Sequence, residues 1–166
     1  MKAICLSVVF GLLALPAFSK EKEEAASVPD VSVSDVRWGE VVNGVEFNKD
    51  SLKGKIVVLE EWGVNCGPCI ASLPEMAKLS KRYEKKGVVV IGLERQNSSK
   101  EDILAVIKKP RVKYAIMAGG SAPVNSNGIP HACVFGHDGK LIWHGHPADD
   151  GFEDAIKDAV KAMPKV

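Results

Sequence analysis

The sequence predicts an α/β fold in which a mixed central sheet is flanked by helices and carries an added N-terminal β-hairpin. Two runs rich in β-branched residues, 55–62 and 88–93, have the composition of buried strands, and a helical pattern follows each of them. Near the end of the chain, two short apolar segments flank an Asp138-Gly139 turn, which is typical of a hairpin. Strands that alternate with helices and close with a hairpin indicate a mixed sheet that is covered on both faces.

The remaining strands are short. Asn43-Gly44 lies between two apolar-polar alternations over residues 36–47, which predicts the N-terminal hairpin. Three further strands are expected at 114–117, 132–135 and 140–144. The last two of these form the closing hairpin.

Three helices are expected from apolar residues at helical spacing. The first follows a pair of cysteines and ends at Gly87. The second begins at a capping box from Ser98 to Glu101 and ends at Pro110. The third is an amphipathic helix over residues 152–163.

The chain is predicted to contain one domain behind a targeting segment. A basic start at Lys2, an uncharged stretch over 3–18 and small residues near its end are typical of a secretory signal. Residues 1–19 are therefore predicted to be a signal peptide, with an uncleaved N-terminal membrane anchor as the alternative. Residues 20–34 mix charges with Ala, Ser and Pro, which indicates a flexible leader before a domain at 35–166.

Charge and cysteine content exclude several classes of protein. The chain has 22 Lys and Arg against 21 Asp and Glu, so no large single-sign field is expected and nothing indicates a nucleic-acid partner. Of the four cysteines, Cys5 would leave with the signal peptide. The odd number that remains leaves one thiol unpaired and is too small for a disulfide-built scaffold.

The motif Cys66-Gly67-Pro68-Cys69 follows a predicted buried strand and opens a predicted helix. Unpaired N–H groups and the positive end of that helix stabilise a thiolate, so Cys66 is expected to have a lowered pKa and to attack disulfides. Pro68 fits the first helical turn, where its missing N–H costs little, and Cys69 is expected to resolve the mixed disulfide. The alternatives are half a zinc site and a structural disulfide. A structural zinc site usually needs a second Cys or His pair, and Cys133 stands alone.

Two stretches of the chain resemble the thioredoxin family. The first stretch, GKIVVLEEWGVNCGPC followed by Pro74, is similar to the active-site strand and helix of the exported TlpA-like members. These members include the thiol reductases of cytochrome c maturation. The second stretch, GIPHACVFGHDGKLIWHGHP, is similar to the family's cis-proline strand and closing hairpin. These motifs lie at the two ends of roughly residues 45–163, and the resemblance implies a thioredoxin-like fold.

The resemblance also implies roles for individual residues. Pro130 is expected to be a cis-proline that faces the cysteine pair, and the backbone of Ile129 is expected to bind an extended substrate chain. Glu60 takes the place of a buried acid beneath the second cysteine, and a raised pKa would let it accept the proton of Cys69. Trp62 matches a tryptophan that packs beside the site.

Some positions leave the assignment open. Period-two alternation allows only one of Glu60 and Glu61 on each face, so Glu61 could take the inward face, or neither residue could. Asn65 stands where the family commonly carries Trp. Ser72 stands where the cytochrome c maturation reductases often carry Glu, which weakens assignment to that subgroup.

Two residues near the predicted cis-proline have more than one interpretation. A cationic His131 could stabilise the Cys66 thiolate, or help Cys66 and Cys69 to hold a soft metal such as Cu(I). It could also be a partly exposed polar residue without such a role. Cys133 falls in a predicted buried strand and is expected to be an inert filler of the core, with regulation or intermolecular pairing as the alternative.

These observations predict a thiol–disulfide oxidoreductase that reduces disulfides of exported proteins in the periplasm as a monomer. No organic cofactor is expected, because the Cys66–Cys69 pair holds the electrons. The resemblance implies a membrane electron donor that keeps the pair reduced. The alternatives are a disulfide oxidase or isomerase, a copper metallochaperone using Cys66, Cys69 and His131, and a docking module that the cysteines merely stabilise.

Overall fold

The computed structural model describes residues 28–164, and the predicted signal peptide at 1–19 lies outside them. In chain order the strands and helices are β1 (Glu40–Val41), β2 (Ile56–Trp62), α1 (Gly67–Tyr83), β3 (Val88–Glu94), α2 (Lys100–Lys108), β4 (Ala115–Ala118), β5 (His131–Phe135), β6 (Leu141–Gly145) and α3 (Asp150–Ala162). Within these residues no helix has the length and apolar character needed to cross a membrane.

The strands of the described residues form one mixed sheet in the order β1-β4-β3-β2-β5-β6. β2 runs parallel to β3, and β3 runs parallel to β4, whereas β1, β5 and β6 are antiparallel to their neighbours. The predicted mixed sheet is therefore confirmed, and all seven residues of its central strand β2 are buried. The C-terminal ends of β2 and β3 meet the start of β5 at one edge of the sheet.

The two faces of the sheet are covered by different parts of the chain. All three helices pack against one face, here named the helix face, which includes Val58 and Trp62 of β2. The opposite face includes Leu59 and is covered by side chains from 31–52 and 122–124, so it is named the loop face. Because both faces are covered, successive residues of β2 are buried on opposite sides, which explains its nearly continuous apolar sequence.

The predicted N-terminal hairpin around Asn43-Gly44 is wrong. Only the two residues of β1 form a strand, and they pair antiparallel with β4. The Asn43 side chain donates to the Tyr114 carbonyl oxygen at 2.8 Å and accepts from the Ile116 N–H at 3.2 Å. Asn43, a typical turn residue in the sequence, thus binds the main chain beside and within β4. Residues 44–48 continue without forming a second strand of a hairpin.

The three predicted helices are confirmed with small changes at their ends. Gly87, at a left-handed φ of 79°, follows the short 3-10 turn that ends the first helical segment. The second helix starts one residue later than predicted, because the cap is Ser99, whose hydroxyl accepts from the Asp102 N–H at 3.1 Å. Ser98 instead donates to the buried Glu94 carboxylate at 2.9 Å.

The last part of the predicted leader at 20–34 is bonded to the domain. The Val31 carbonyl oxygen accepts from the Leu141 N–H at 2.9 Å, and the Val33 N–H donates to the Gly139 carbonyl oxygen at 2.8 Å. Both valines also pack against the loop face. The ordered contacts of the fold therefore begin before the boundary predicted at residue 35.

Candidate active site

The cysteine motif lies at the start of α1. Cys66 is the N-cap residue and forms a disulfide with Cys69 in the first turn, with their Cα atoms 5.2 Å apart. The Cys69 N–H donates to Cys66 Sγ at 3.2 Å, so this sulfur faces the positive end of the helix. Gly67 and Pro68 are exposed between them. Cys66 is 9% exposed and Cys69 is fully buried, so Cys66 is the sulfur that another protein can reach.

Close main-chain contacts hold the loop between β2 and α1. The Cys66 N–H donates to the Gly63 carbonyl oxygen at 3.1 Å, and the Asn65 N–H donates to Gln96 Oε1 at 2.8 Å. A side chain at Gly63 would collide with the Gln96 side chain. Glycine at this position therefore lets the loop after β3 support the residue before the first cysteine.

The cis-proline segment lies beside the disulfide. The peptide bond between Ile129 and Pro130 is cis, and it immediately precedes β5. The Ile129 carbonyl oxygen lies 3.7 Å from Cys66 Sγ. A main-chain group is therefore available next to the reactive sulfur for contact with a bound chain.

Glu60 is fully buried on the helix face. Its Oε1 lies 2.9 Å from the Ser72 hydroxyl, and its Oε2 accepts from the Tyr114 hydroxyl at 3.2 Å. Burial raises the pKa of Glu60 from 4.5 to about 7, because the two hydrogen bonds to the charged form offset only part of the desolvation. A carboxyl group with this pKa can exchange a proton near neutral pH.

Ser72 connects this carboxyl group to the second cysteine. Its Oγ lies 2.9 Å from Glu60 Oε1 and 2.8 Å from the Cys69 carbonyl oxygen. The hydroxyl has one proton, so it donates to one of these acceptors at a time. When Glu60 is protonated, it can donate to Ser72 Oγ while the Ser72 hydroxyl donates to the Cys69 carbonyl oxygen. When Glu60 is ionised, the Ser72 hydroxyl donates to Glu60 instead.

Glu61 is buried as completely as Glu60, but on the loop face. Its carboxylate accepts from the Ala122 N–H at 3.0 Å, pairs with Arg95 and lies 3.2 Å from His131 Nδ1. Burial alone would raise the pKa of Glu61, but the hydrogen bonds from His131 and Ala122 and the charge of Arg95 hold it below its usual value. The two acids do occupy opposite faces, and neither is at the surface, because the sheet is covered on both sides.

His131 is held away from the cysteine pair by its partners. Its Nδ1 contacts Glu61 on the loop face and its Nε2 lies 3.4 Å from His144 Nδ1, whereas both cysteines belong to the helix-face cluster. In the part of the chain from 28 to 164, no three His, Cys, Asp or Glu side chains are grouped as metal ligands. The copper site imagined from Cys66, Cys69 and His131 is therefore not formed there.

Two other predicted residues belong to the core. Trp62 is fully buried in the same apolar cluster as the cysteines, in agreement with a packing role. Cys133 is also fully buried, and burial, with a smaller effect from the charge of Glu61, raises the pKa of its thiol to about 12. A thiol with this pKa is not a nucleophile at neutral pH.

Sequence reasoning missed most partners of the two acids. Ser72 follows Cys69 by three positions in a predicted helix, a spacing that places both on one helical side and could have indicated their contact. Tyr114, a partner of Glu60, and Arg95, a partner of Glu61, come from separate parts of the chain. No local pattern connects them to the acids, because their proximity depends on which strands are neighbours.

Comparisons with known proteins agree with this geometry. The Redoxin family model matches residues 23–160. Thiol-disulfide oxidoreductase ResA of Bacillus cereus is 30% identical over 152 residues, which cover 84% of this chain and 82% of that protein. NHL repeat-containing protein 2 of Gallus gallus is 32% identical over 97 residues, which are 58% of this chain and 13% of that much longer protein. A thioredoxin-family thiol:disulfide interchange protein of Chlorobium tepidum has a similar structure, with a TM-score of 0.63 and 22% identity, covering 81% of this chain and 99% of that one.

Cys66 and Cys69 can hold two electrons as a dithiol and release them as a disulfide, and the surrounding fold is thioredoxin-like. These properties define a thiol–disulfide oxidoreductase. The chain belongs to the Redoxin family, and its likeness to ResA assigns it to the TlpA/ResA-like members. The fold and family that the two sequence motifs implied are therefore confirmed.

Proposed function

We propose that this protein reduces disulfide bonds of exported proteins, with Cys66 as the nucleophile. The proposal depends on one observation, the position of Cys66 Sγ at the start of α1, 3.7 Å from the Ile129 carbonyl oxygen. A substrate chain that binds along the backbone of Ile129 would bring its own disulfide to this sulfur.

The reaction starts from the dithiol form. The Cys66 thiolate attacks one sulfur of the substrate disulfide, whose S–S bond breaks to give a mixed disulfide and a thiolate that takes up a proton. Cys69 then loses its proton, attacks Cys66 Sγ and displaces the second substrate thiolate, which is also protonated. The protein ends as the Cys66–Cys69 disulfide, and the substrate has gained two electrons and two protons.

In this scheme Glu60 accepts the proton of Cys69. Its pKa of about 7 supports this role, because a base is most effective when its pKa is near the working pH. Ser72 lies within hydrogen-bond distance of both Glu60 and the backbone of Cys69. It would therefore keep the carboxyl group close to the cysteine that it deprotonates.

The substrate is bound by the segment around the cis-proline. Ile129 offers its main chain to an extended peptide, and Pro130 leaves this segment without a competing N–H donor. Gly67 and Pro68 are exposed beside Cys66, so a partner can approach the sulfur. Trp62 contributes by packing under the site.

A second protein must return two electrons to the oxidised pair in each cycle. We assign this role to a membrane electron donor, and the protein works as a monomer without an organic cofactor. Export to the periplasm is supported by the basic start and by the uncharged stretch at 3–18. An uncleaved N-terminal segment would keep the protein at the membrane.

The midpoint potential of the Cys66–Cys69 pair tests the direction of the reaction. Equilibration in glutathione and dithiothreitol buffers, followed by maleimide labelling, should give a value near that of thioredoxin, about −270 mV. A value above about −180 mV would replace the reductase assignment by an oxidase or isomerase.

The nucleophile is tested separately by trapping. The reduced Cys69→Ser variant should accumulate a mixed disulfide with insulin, whereas the reduced Cys66→Ser variant should accumulate none. A wild-type protein that never turns over a protein disulfide would contradict the proposal and favour a docking module.

A further inference from the structure

The loop that ends at the cis-proline lacks main-chain partners over most of its length. Residues 119–130 join β4 to β5 and are named the presenting loop. Among the residues that the structure describes, the backbone of 122–130 takes part in no backbone–backbone hydrogen bond. Contacts other than sheet pairing must therefore keep Ile129 beside Cys66.

We propose that Glu61 is the positioning residue that holds the presenting loop in the shape required for substrate binding. The inference rests on the proposed function, because it concerns the main chain that receives the substrate. Glu61 acts through this loop and does not itself touch the reacting sulfurs.

The contacts of Glu61 span the presenting loop. One carboxylate oxygen accepts from the Ala122 N–H at 3.0 Å, near the start of the loop. The other lies 3.4 Å from the Ser126 hydroxyl, in its middle, and 3.2 Å from His131 Nδ1, directly after its end. A single side chain therefore contacts two residues of the presenting loop and the residue that directly follows it.

The sheet makes Glu61 a rigid support. Glu61 lies in β2 and is paired in register with His131 of β5, the residue that follows Pro130. Because Pro130 directly precedes His131, a shift of the Glu61 carboxylate relative to β5 would also shift the cis-proline. Since β2 is a fully buried central strand, and such strands open least readily, Glu61 attaches the loop to a stable part of the fold.

Charge makes these contacts strong. The Glu61 side chain is 1% exposed and forms an ion pair with Arg95, whose side chain is 36% exposed. Its other facing titratable groups are His131, which contacts His144, and Cys133. A buried carboxylate is tolerated only when such partners satisfy it, and hydrogen bonds to a charged acceptor are stronger than neutral ones. Neutralising Glu61 should therefore loosen the loop while leaving the shape of the core unchanged.

The test compares two substrates of the reduced protein. Glu61→Gln should raise the KM for insulin about tenfold, which corresponds to about 1.4 kcal/mol, with kcat within about twofold of wild type. The rate with bis(2-hydroxyethyl) disulfide, which has no peptide main chain, should stay within about twofold. A general loss of folded protein would lower both rates, so the split between the substrates identifies a positioning effect.

Glu94→Gln is the matched control. Glu94 is also a fully buried carboxylate at the end of a strand, but it accepts from Gln96 and Ser98 in a different loop. Because Gln96 also accepts from the Asn65 N–H before Cys66, this variant can change both rates together, but it should leave the ratio of the insulin and small-disulfide rates unchanged. If both variants shifted the ratio equally, the effect would belong to any buried carboxylate and the proposal would be overturned.

Hydrogen exchange supplies an independent measurement. The amide of Ala122, which donates to Glu61, should exchange at least about tenfold faster in Glu61→Gln than in wild type, and the amides of β2 should not. Unchanged exchange, or faster exchange with an unchanged KM for insulin, would overturn the inference. If Glu61→Gln does not fold, Arg95→Gln takes its place and should shift the same ratio in the same direction. A wild-type protein inactive on insulin would instead contradict the proposed function.

Discussion

Glu60 and Glu61 are adjacent and equally buried, yet their surroundings shift their pKa values in opposite directions. Around Glu60, desolvation outweighs the hydrogen bonds from two neutral hydroxyl groups. Around Glu61, the hydrogen bonds from His131 and Ala122 and the charge of Arg95 outweigh desolvation. One step along a strand thus separates a carboxyl group that can exchange a proton from a carboxylate that stays charged.

The raised pKa of Glu60 predicts a pH-dependent cost to stability. Between pH 4.5 and about 7 the folded state holds more of this proton than the unfolded state, so the free energy of unfolding falls as the pH rises and then levels off. Glu60→Gln removes this dependence and should be more stable than wild type at pH 8 by up to about 3 kcal/mol. Urea unfolding of the oxidised proteins at pH 5 and pH 8 measures the difference.

Glu75→Gln is the control for this measurement, because Glu75 is exposed on α1. Its stability should follow the wild-type pH dependence. Should Glu60→Gln also follow the wild-type curve in parallel, Glu60 would not have a raised pKa, and its role as proton acceptor would be lost.

Among the elements, the connections at one edge of the sheet bring the cysteine motif and the cis-proline together. β2 delivers the cysteine motif, and the presenting loop delivers the cis-proline. The loop begins where β4 meets the N-terminal segment, and the Ser121 N–H donates to the Arg37 carbonyl oxygen at 2.7 Å. The geometry of this junction therefore affects both the fold and the main chain proposed to bind the substrate.

Gly120 is the position where this junction leaves no room for a side chain. Its φ is 84°, and a Cβ atom would lie 2.5 Å from the Arg37 carbonyl oxygen and 2.8 Å from the Gly39 nitrogen. Gly120→Ala should therefore lower the free energy of unfolding by at least about 2 kcal/mol, combining left-handed strain with a clash against backbone. Chemical denaturation gives this value.

Gly128→Ala in the same loop is the comparison for that result. A Cβ atom at Gly128 would meet no other atom within 4 Å, and its backbone is outside the left-handed region. Its stability should stay within about 0.5 kcal/mol of wild type. Equal losses for the two variants would mean that the loop, and not the close approach at Gly120, is sensitive to substitution.

At the scale of the whole molecule, the N-terminal segment completes the domain. The three helices cover one face of the sheet, so the loop face depends on side chains from 31–52 for much of its cover. Val31 and Val33 add main-chain hydrogen bonds to the closing hairpin. The segment before β1 is thus part of the hydrophobic core as well as a connection to the N-terminus.

A comparison of two shortened chains tests this arrangement. A chain that starts at residue 35 loses both hydrogen bonds and the apolar contacts of Val31 and Val33, so it should be less stable than one that starts at residue 28 by about 2–4 kcal/mol. Insulin reduction by the folded fraction should be unchanged, because these contacts lie at the far end of β6 from the cysteine edge. Equal melting temperatures would show that the loop face does not need this cover.

Local sequence patterns determined the chemistry and most of the secondary structure. The spacing of Cys66 and Cys69 at the start of a helix, the apolar run of β2, the Asp138-Gly139 turn and the periodicity of α3 each involve residues close in sequence. Such features depend on backbone geometry that recurs within one or two turns or strands. For the same reason the family motifs were readable without a structure.

Only the tertiary structure decided how the distant polar groups meet. In the structure Asn43 attaches the chain to β4 instead of forming a hairpin turn, and His131 contacts Glu61 instead of the cysteines. Glu60 and Glu61 are both buried, with different partners. These outcomes depend on strand order and register, and a shift of one residue would move every side chain of a strand to the other face. Contacts between residues 54 to 73 positions apart follow from that register, which no local pattern contains.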